Sequence, residues 1–241
     1  MQENPQFRFS FVLAAMLVYW LIAPLLQHFL GIRILTDIFF SATLIIAVYA
    51  VSKIRAHAAV ASVLALPMLI AIWLQYLGYQ PALDLVASIF QTFFFGYTAW
   101  LIVSGVLRAS SVSREVIAAA IVAYMFLGMI WAGFYSTLEL LIPGAFSLPE
   151  GMAGPTSQHF GYFSFTTLTT LGYGDITPLS KAARSAATLE ALIGQIYLAV
   201  LIARLVGIQA SQSSRRRGSR AKVLGGGEEA SLGRSGPAVT G

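Results

Sequence analysis

The sequence contains no cysteine, which excludes disulfides, thiolate metal sites and cysteine nucleophiles and leaves no signal of redox compartment. Charge is nearly as scarce. Only 10% of the 241 residues are Asp, Glu, Lys or Arg, against roughly a quarter in an ordinary soluble domain. No P-loop, dinucleotide fingerprint or nucleophile motif occurs, so nothing supports an enzyme or a bound cofactor. The histidines, His28, His57 and His159, are scattered with no carboxylate at ligand spacing, which argues against a resident metal centre. No internal repeat of about 20 to 50 residues is visible, and solenoids and duplicated modules are therefore unsupported.

What the chain has in quantity is apolar surface, with 57% hydrophobic residues. Crossing a bilayer core takes about 20 mostly apolar residues. Stretches of that kind run over Phe9–Leu30, Ile34–Val51, Ala58–Leu77, Leu83–Leu107, Val116–Ile142 and Arg184–Ile208. The expectation is an all-α transmembrane chain with six membrane helices. The first stretch is longer than the apolar part of a signal peptide and has no small-residue cleavage site after it, so it counts as a helix.

The net charge of +5 is unevenly placed. Arg8, Lys53, Arg55, Arg108, Arg114 and the run Arg215, Arg216, Arg217, Arg220 and Lys222 all fall on one side of a six-span topology. By the positive-inside rule that side is the cytoplasm, so both termini are expected inside a multi-pass plasma-membrane protein. The opposite loops carry Arg33, Lys181 and Arg184 beside Asp37, Asp84, Glu150 and Asp175.

Three regions follow: a four-helix region over 1–110, a second membrane region over 111–210, and a tail over 211–241. The tail is rich in Ser, Gly and Arg, too polar to offset its ordering entropy, and is expected to be disordered. Its basic run suits anionic lipid at the bilayer surface, and nucleic acid is the weaker reading.

The connection between the fifth and sixth spans, Pro143 to Lys181, is far longer than the others. Pro155, Thr156 and Ser157 suit a helix start, and a helix over Thr156–Leu168 would be ~20 Å long. That is too short to cross. It should be re-entrant, which irregular backbone tolerates at membrane depth only when protein buries it or it lines a water-filled cavity.

After this helix comes "TTLTTLGYGDITP", Thr166 to Pro178. Gly172 and Gly174 reach backbone conformations closed to other residues, and let successive carbonyls of Thr170, Leu171, Gly172 and Tyr173 turn to one side. Several such rows converging on an axis form oxygen rings that replace the water shell of a cation. Tyr173 would point away from the axis as a brace, and Asp175 would mark the outer mouth. An isolated GYGD would be a surface turn, but the threonine run, the short helix and the flanking spans favour the oxygen row. "QYLGYQ", Gln75 to Gln80, copies three of these residues without the threonines, second glycine or aspartate, and reads as a turn.

"TLTTLGYGD" resembles the filter signature of the potassium channels, and the arrangement of two helices and a pore loop over about Val116 to Ile208 is similar to their pore domain. Leu171 stands where Val or Ile is commoner, Tyr162 and Phe163 stand where many members have paired Trp, and Thr166 and Thr167 stand where some carry a carboxylate. The resemblance implies a selectivity filter of Thr170, Leu171, Gly172, Tyr173 and Gly174, with K+ held by backbone carbonyls as the permeant ion. A closed ring of carbonyls needs four chains, so a homotetramer is implied. A less selective cation channel, or a transporter or scaffold on six helices, are the alternatives.

Within the sixth span, Gly194 lies twenty residues after Gly174, where related channels often carry a hinge; hinge and close packing are both open. Gln195, Leu198 or Ala199, Ile202 and Val206 share a helical face with it, a candidate cavity wall. Intramembrane charges are functional candidates by default. Glu190 is placed to support the pore helix from behind, near Thr166, Thr167 or Tyr173, whereas Glu139 is expected at solvent. Arg184 and Arg204 bracket the span and are expected to snorkel. The fourth span carries a single Arg, Arg108, at its end; steep voltage gating needs several charges per subunit and is not expected.

Overall fold

The structure, a computed structural model, describes residues 8–26, 38, 41, 55–78, 80–149 and 156–232. Its helices are α1 (Arg8–Leu26), α2 (Arg55–Leu74), α3 (Pro81–Arg108), α4 (Arg114–Leu141), α5 (Thr156–Leu168) and α6 (Lys181–Leu232). A two-residue pair of strands, β1 (Phe146–Ser147) and β2 (Thr177–Pro178), is the remaining regular structure among the described residues, apart from a 3-10 turn at Gln75–Leu77. That turn lies in the Gln75 to Gln80 copy of the glycine motif, which is thus a helix end.

Local chemistry fixes several boundaries. Pro81 opens α3, Asp84 lies in its first turn and Arg108 in its last, the charge order that complements a helix dipole. Ser113 caps α4 by accepting from the Val116 amide at 3.3 Å. Ser180 does the same for α6, accepting from the Ala183 amide at 3.1 Å.

Four described helical segments are long and apolar enough to cross a membrane: Ala56–Leu77, Pro81–Arg108, Arg114–Leu141 and Lys181–Ala210. Phe9–Val18 is a shorter apolar helix. Of the six expected spans, the second, Ile34–Val51, lies outside the described residues except for Ile38 and Ser41. The tail departs from expectation. Helix α6 runs to Leu232, through the basic segment read as disordered. A helix that is already nucleated adds residues at little cost, and the Arg, Lys, Ala and Glu residues there are good helix formers.

Helix α4 is the hub, packing on α1, α3, α5 and α6, while α2 packs on α3. In lipid such packing rests on van der Waals fit and small residues at crossings. The α3–α4 crossing is of this kind: a Cβ on Gly133 would lie 2.9 Å from the Ser88 carbonyl oxygen. Its core contains Phe94, Phe95 and Phe126, with edge-to-face ring contacts at 5.2 and 4.8 Å.

Polar ties add to this packing. Glu115 on α4 accepts from the Phe9 amide at 2.9 Å and the Ser10 amide at 3.4 Å, joining the first turn of α1 to the first turn of α4. Arg204 on α6, expected only to snorkel, donates to the carbonyls of Leu107 and Ala109, the unpaired carbonyls at the end of α3. Trp20 of α1 meets Phe165 of α5 edge to face, with centroids 4.2 Å apart.

A second core closes the far end of α4, around Tyr135, Phe146, Phe160, Phe163 and Ile176. Phe146 sits at its centre, with ring centroids at 4.7 Å to Phe160, 5.4 Å to Phe163 and 5.4 Å to Tyr135. Phe146→Ala should cost about 3–5 kcal/mol, read as a lowered midpoint of thermal unfolding in lipid nanodiscs, whereas the exposed Phe93→Ala should leave the midpoint nearly unchanged.

Candidate functional site

The glycine motif follows α5 directly, and the end of that helix holds it. The Thr166 carbonyl accepts the amides of both Leu171 at 2.8 Å and Gly172 at 3.1 Å, and the Thr167 carbonyl accepts the Thr170 amide at 2.9 Å. Carbonyls that a helix end leaves unpaired thus become the anchor of the strand after it. Thr166 and Thr167 support the strand through their backbones; the Thr166 hydroxyl turns back to the Phe163 carbonyl at 2.9 Å.

The strand itself alternates in hand. Thr170, Gly172 and Gly174 have φ of +60°, +57° and +79°, with Leu171 and Tyr173 between them. An extended strand points successive carbonyls to opposite sides, and a left-handed residue at every second position brings them round to one side. Glycine adopts that conformation freely, but for Thr170 it is strained. Nothing in the residue type of Thr170 announces this strain. All of Thr170 to Asp175 are exposed in one chain.

The outer side of the strand is braced. Tyr173 lies parallel to Tyr162 of α5, with centroids 6.3 Å apart and planes within 6°, and Asp175 lies near the Tyr162 hydroxyl. Beyond Asp175, β2 pairs antiparallel with β1, Phe146 opposite Pro178 and Ser147 opposite Thr177. The Ala145 carbonyl accepts the amides of Leu179 at 2.8 Å and Ser180 at 3.1 Å. Glu139, expected at solvent, accepts from the Gly144 and Phe146 amides at 2.8 and 3.0 Å, and so shapes the turn that carries β1. Arg184 donates to the Pro178 carbonyl at 3.2 Å.

Behind the strand, α6 and α4 meet the end of α5. Tyr124 of α4 donates to the Leu168 carbonyl at 3.1 Å, and Tyr197 of α6 donates to the Ala120 carbonyl at 2.7 Å. Glu190 is fully buried, and its partners are Tyr135 and Ser164, not Thr166, Thr167 or Tyr173. Ser164 and the three tyrosines, Tyr124, Tyr135 and Tyr197, were missed in the sequence. The available signal was a hydroxyl in an otherwise apolar helix.

Gly194 is buried where α6 crosses the end of α5: a Cβ there would lie 2.8 Å from both the Leu168 carbonyl oxygen and its Cδ1. The helix is continuous through this point. Close packing therefore accounts for the glycine. On the same helix, Gln195, Ile202 and Val206 are exposed in one chain and Leu198 is half-buried. No cluster of His, Asp or Glu able to hold a metal ion occurs among the described residues.

Gly194→Ala should reduce activity and lower thermal stability, because the backbone oxygen it meets cannot rotate away. Gly207→Ala, where a Cβ meets nothing within 4 Å, should leave both near wild type; equal tolerance at the two positions would contradict the packing role.

Residues 112–209, less than half of the chain, match the family model described as "Ion channel". The "Two pore potassium channel c" of Oryza sativa subsp. japonica is 35% identical over 86 residues, which is 36% of this chain and 17% of that relative. The shared region is thus a small part of the relative's length. The family-model match spans α4, α5, the glycine motif and the first part of α6, and over it the chain is similar to ion channels.

Proposed function

We propose that four copies of this chain form a potassium-selective pore that passes K+ passively, each contributing Thr170, Leu171, Gly172, Tyr173 and Gly174 as its share of the filter. The observation that carries this reading is the left-handed backbone at Thr170, Gly172 and Gly174. It aligns carbonyls in a row, and rows converging on an axis replace the hydration shell of K+. The word potassium in the name of the rice relative supports the ion.

One chain supplies one row, so a closed ring needs several copies. Exposed Leu192, Ile196 and Val200 on α6 supply apolar surface for lipid or neighbouring copies. In the assembly α5 is re-entrant, Asp175 faces the outer mouth, and Gln195, Leu198, Ile202 and Val206 face the cavity below the filter. The chain spans the plasma membrane six times with both termini in the cytoplasm, a reading that the placement of Lys and Arg supports. The basic segment within the last part of α6, Arg215 to Lys222, lies near anionic lipid headgroups.

Reconstituted in liposomes under opposed K+ and Na+ gradients, the protein should give a reversal potential that follows K+; a potential indifferent to exchanging the two ions would overturn the selectivity. Gly172→Ala and Gly174→Ala force a Cβ into left-handed backbone at about 1–2 kcal/mol each. Each should abolish K+ uptake in a transport-deficient host, and full uptake by the double variant would refute the filter assignment.

A further inference from the structure

Glu190 has a hydrogen-bond arrangement that its ionised form does not satisfy. Tyr135 of α4 donates its hydroxyl to Oε2 at 2.6 Å. Ser164 of α5 is bonded to Oε1 through Oγ, and the same Oγ lies 2.7 Å from the Gly128 carbonyl oxygen of α4. All three side chains are buried. A serine hydroxyl carries one proton, and both a carboxylate oxygen and a carbonyl oxygen only accept. With Glu190 ionised, one Ser164 proton faces two acceptors.

A proton on Oε1 resolves the count. The acid then donates to Ser164 Oγ, Ser164 donates to Gly128, and Tyr135 donates to Oε2, so every hydroxyl has an acceptor. No Lys, Arg or His among the described residues pairs with Glu190, and burying an unpaired charge is far costlier than burying a neutral, hydrogen-bonded acid.

We propose that Glu190 is held as a neutral carboxylic acid and is a positioning residue for the filter, its single proton closing a hydrogen-bond chain that fixes α5 between α4 and α6. Its action is indirect. Ser164 lies two residues before Thr166, whose carbonyl holds the Leu171 and Gly172 amides. Fixing the rotation of α5 at Ser164 therefore fixes the anchor of the ion row. The titratable groups facing Glu190 are Tyr135 and Tyr124, both on α4; α5 presents only Ser164, which does not titrate.

The inference rests on the channel reading for its conduction readout, but its protonation readout is independent. Infrared difference spectra of the full chain in lipid, wild type minus Glu190→Gln at neutral pH, should contain the carbonyl stretch of a neutral carboxylic acid. Its absence would overturn the proposal whether or not the protein conducts.

In liposomes Glu190→Gln, which donates and accepts like the neutral acid, should keep K+ flux within about twofold, whereas Glu190→Ala should lose about tenfold. Wild-type flux should fall as the pH is made alkaline, and the Gln variant should not follow it. A shared alkaline profile, or Ala equal to Gln, would refute the positioning role. A wild-type protein that passes no K+ at any pH would instead count against the channel reading, leaving the infrared result to decide the proton.

Discussion

The Thr166 carbonyl carries the end of α5 into the strand that follows. It takes two amides, those of Leu171 and Gly172, at a point where a helix end would otherwise leave its carbonyls unpaired. Through those two bonds the strand starts in a fixed direction, and its left-handed positions then determine where each carbonyl points. Everything around it restrains α5: Tyr124 at the Leu168 carbonyl, Gly194 against the same oxygen, Glu190, itself bonded by Tyr135, at Ser164, and Trp20 against Phe165. A row of dipoles aimed at a cation is useful only if it cannot relax toward other partners, and these contacts come from three different helices.

The outer end is restrained by a separate set of bonds. The β1–β2 pair, the Ala145 carbonyl and the Glu139 carboxylate tie the exit of α4 to the segment that leaves Asp175. The strand is thus held at both ends by parts of the chain that flank α4. Aromatic packing around Phe146 fills the space between them. The two ends share α4 as their common support, which explains why α4 is the most extensively packed helix.

Much of this could be read in the sequence because it is local. Thr156–Leu168 is bounded by hydroxyl residues at one end and by the glycine motif at the other, and the helix forms over that range. Gly172 and Gly174 announce left-handed backbone by their residue type. Thr170 does not, since a threonine at positive φ is forced by its neighbours and not favoured by its own side chain. Glu190 was legible as a buried charge with a purpose, but its partners lie 26 and 55 residues away, and no local pattern specifies which hydroxyl a helix will present to it. The partners of Glu139 were not legible for a related reason: they are backbone amides in the turn it creates. The helical run of α6 past Ile208 was missed because composition alone ignores the helix already formed before it.

The helices before α4 pose the remaining structural question, since α3 has no array of charges with which to feel a field. Their contacts nevertheless lead inward. Helix α1 is fixed to α4 through Glu115 and touches α5 through Trp20, while α3 is fixed to α6 through Arg204 and to α4 at Gly133. A displacement of α1 would therefore press on the helix that anchors the strand from Thr170 to Gly174, whereas a displacement of α3 would reach α6 at Arg204. The two routes meet at α4, on which both α1 and α3 pack, and α3 also touches α5 directly. The mechanical connections of these helices thus differ: ring packing acts on α5, and hydrogen bonds to freed carbonyls act on α6.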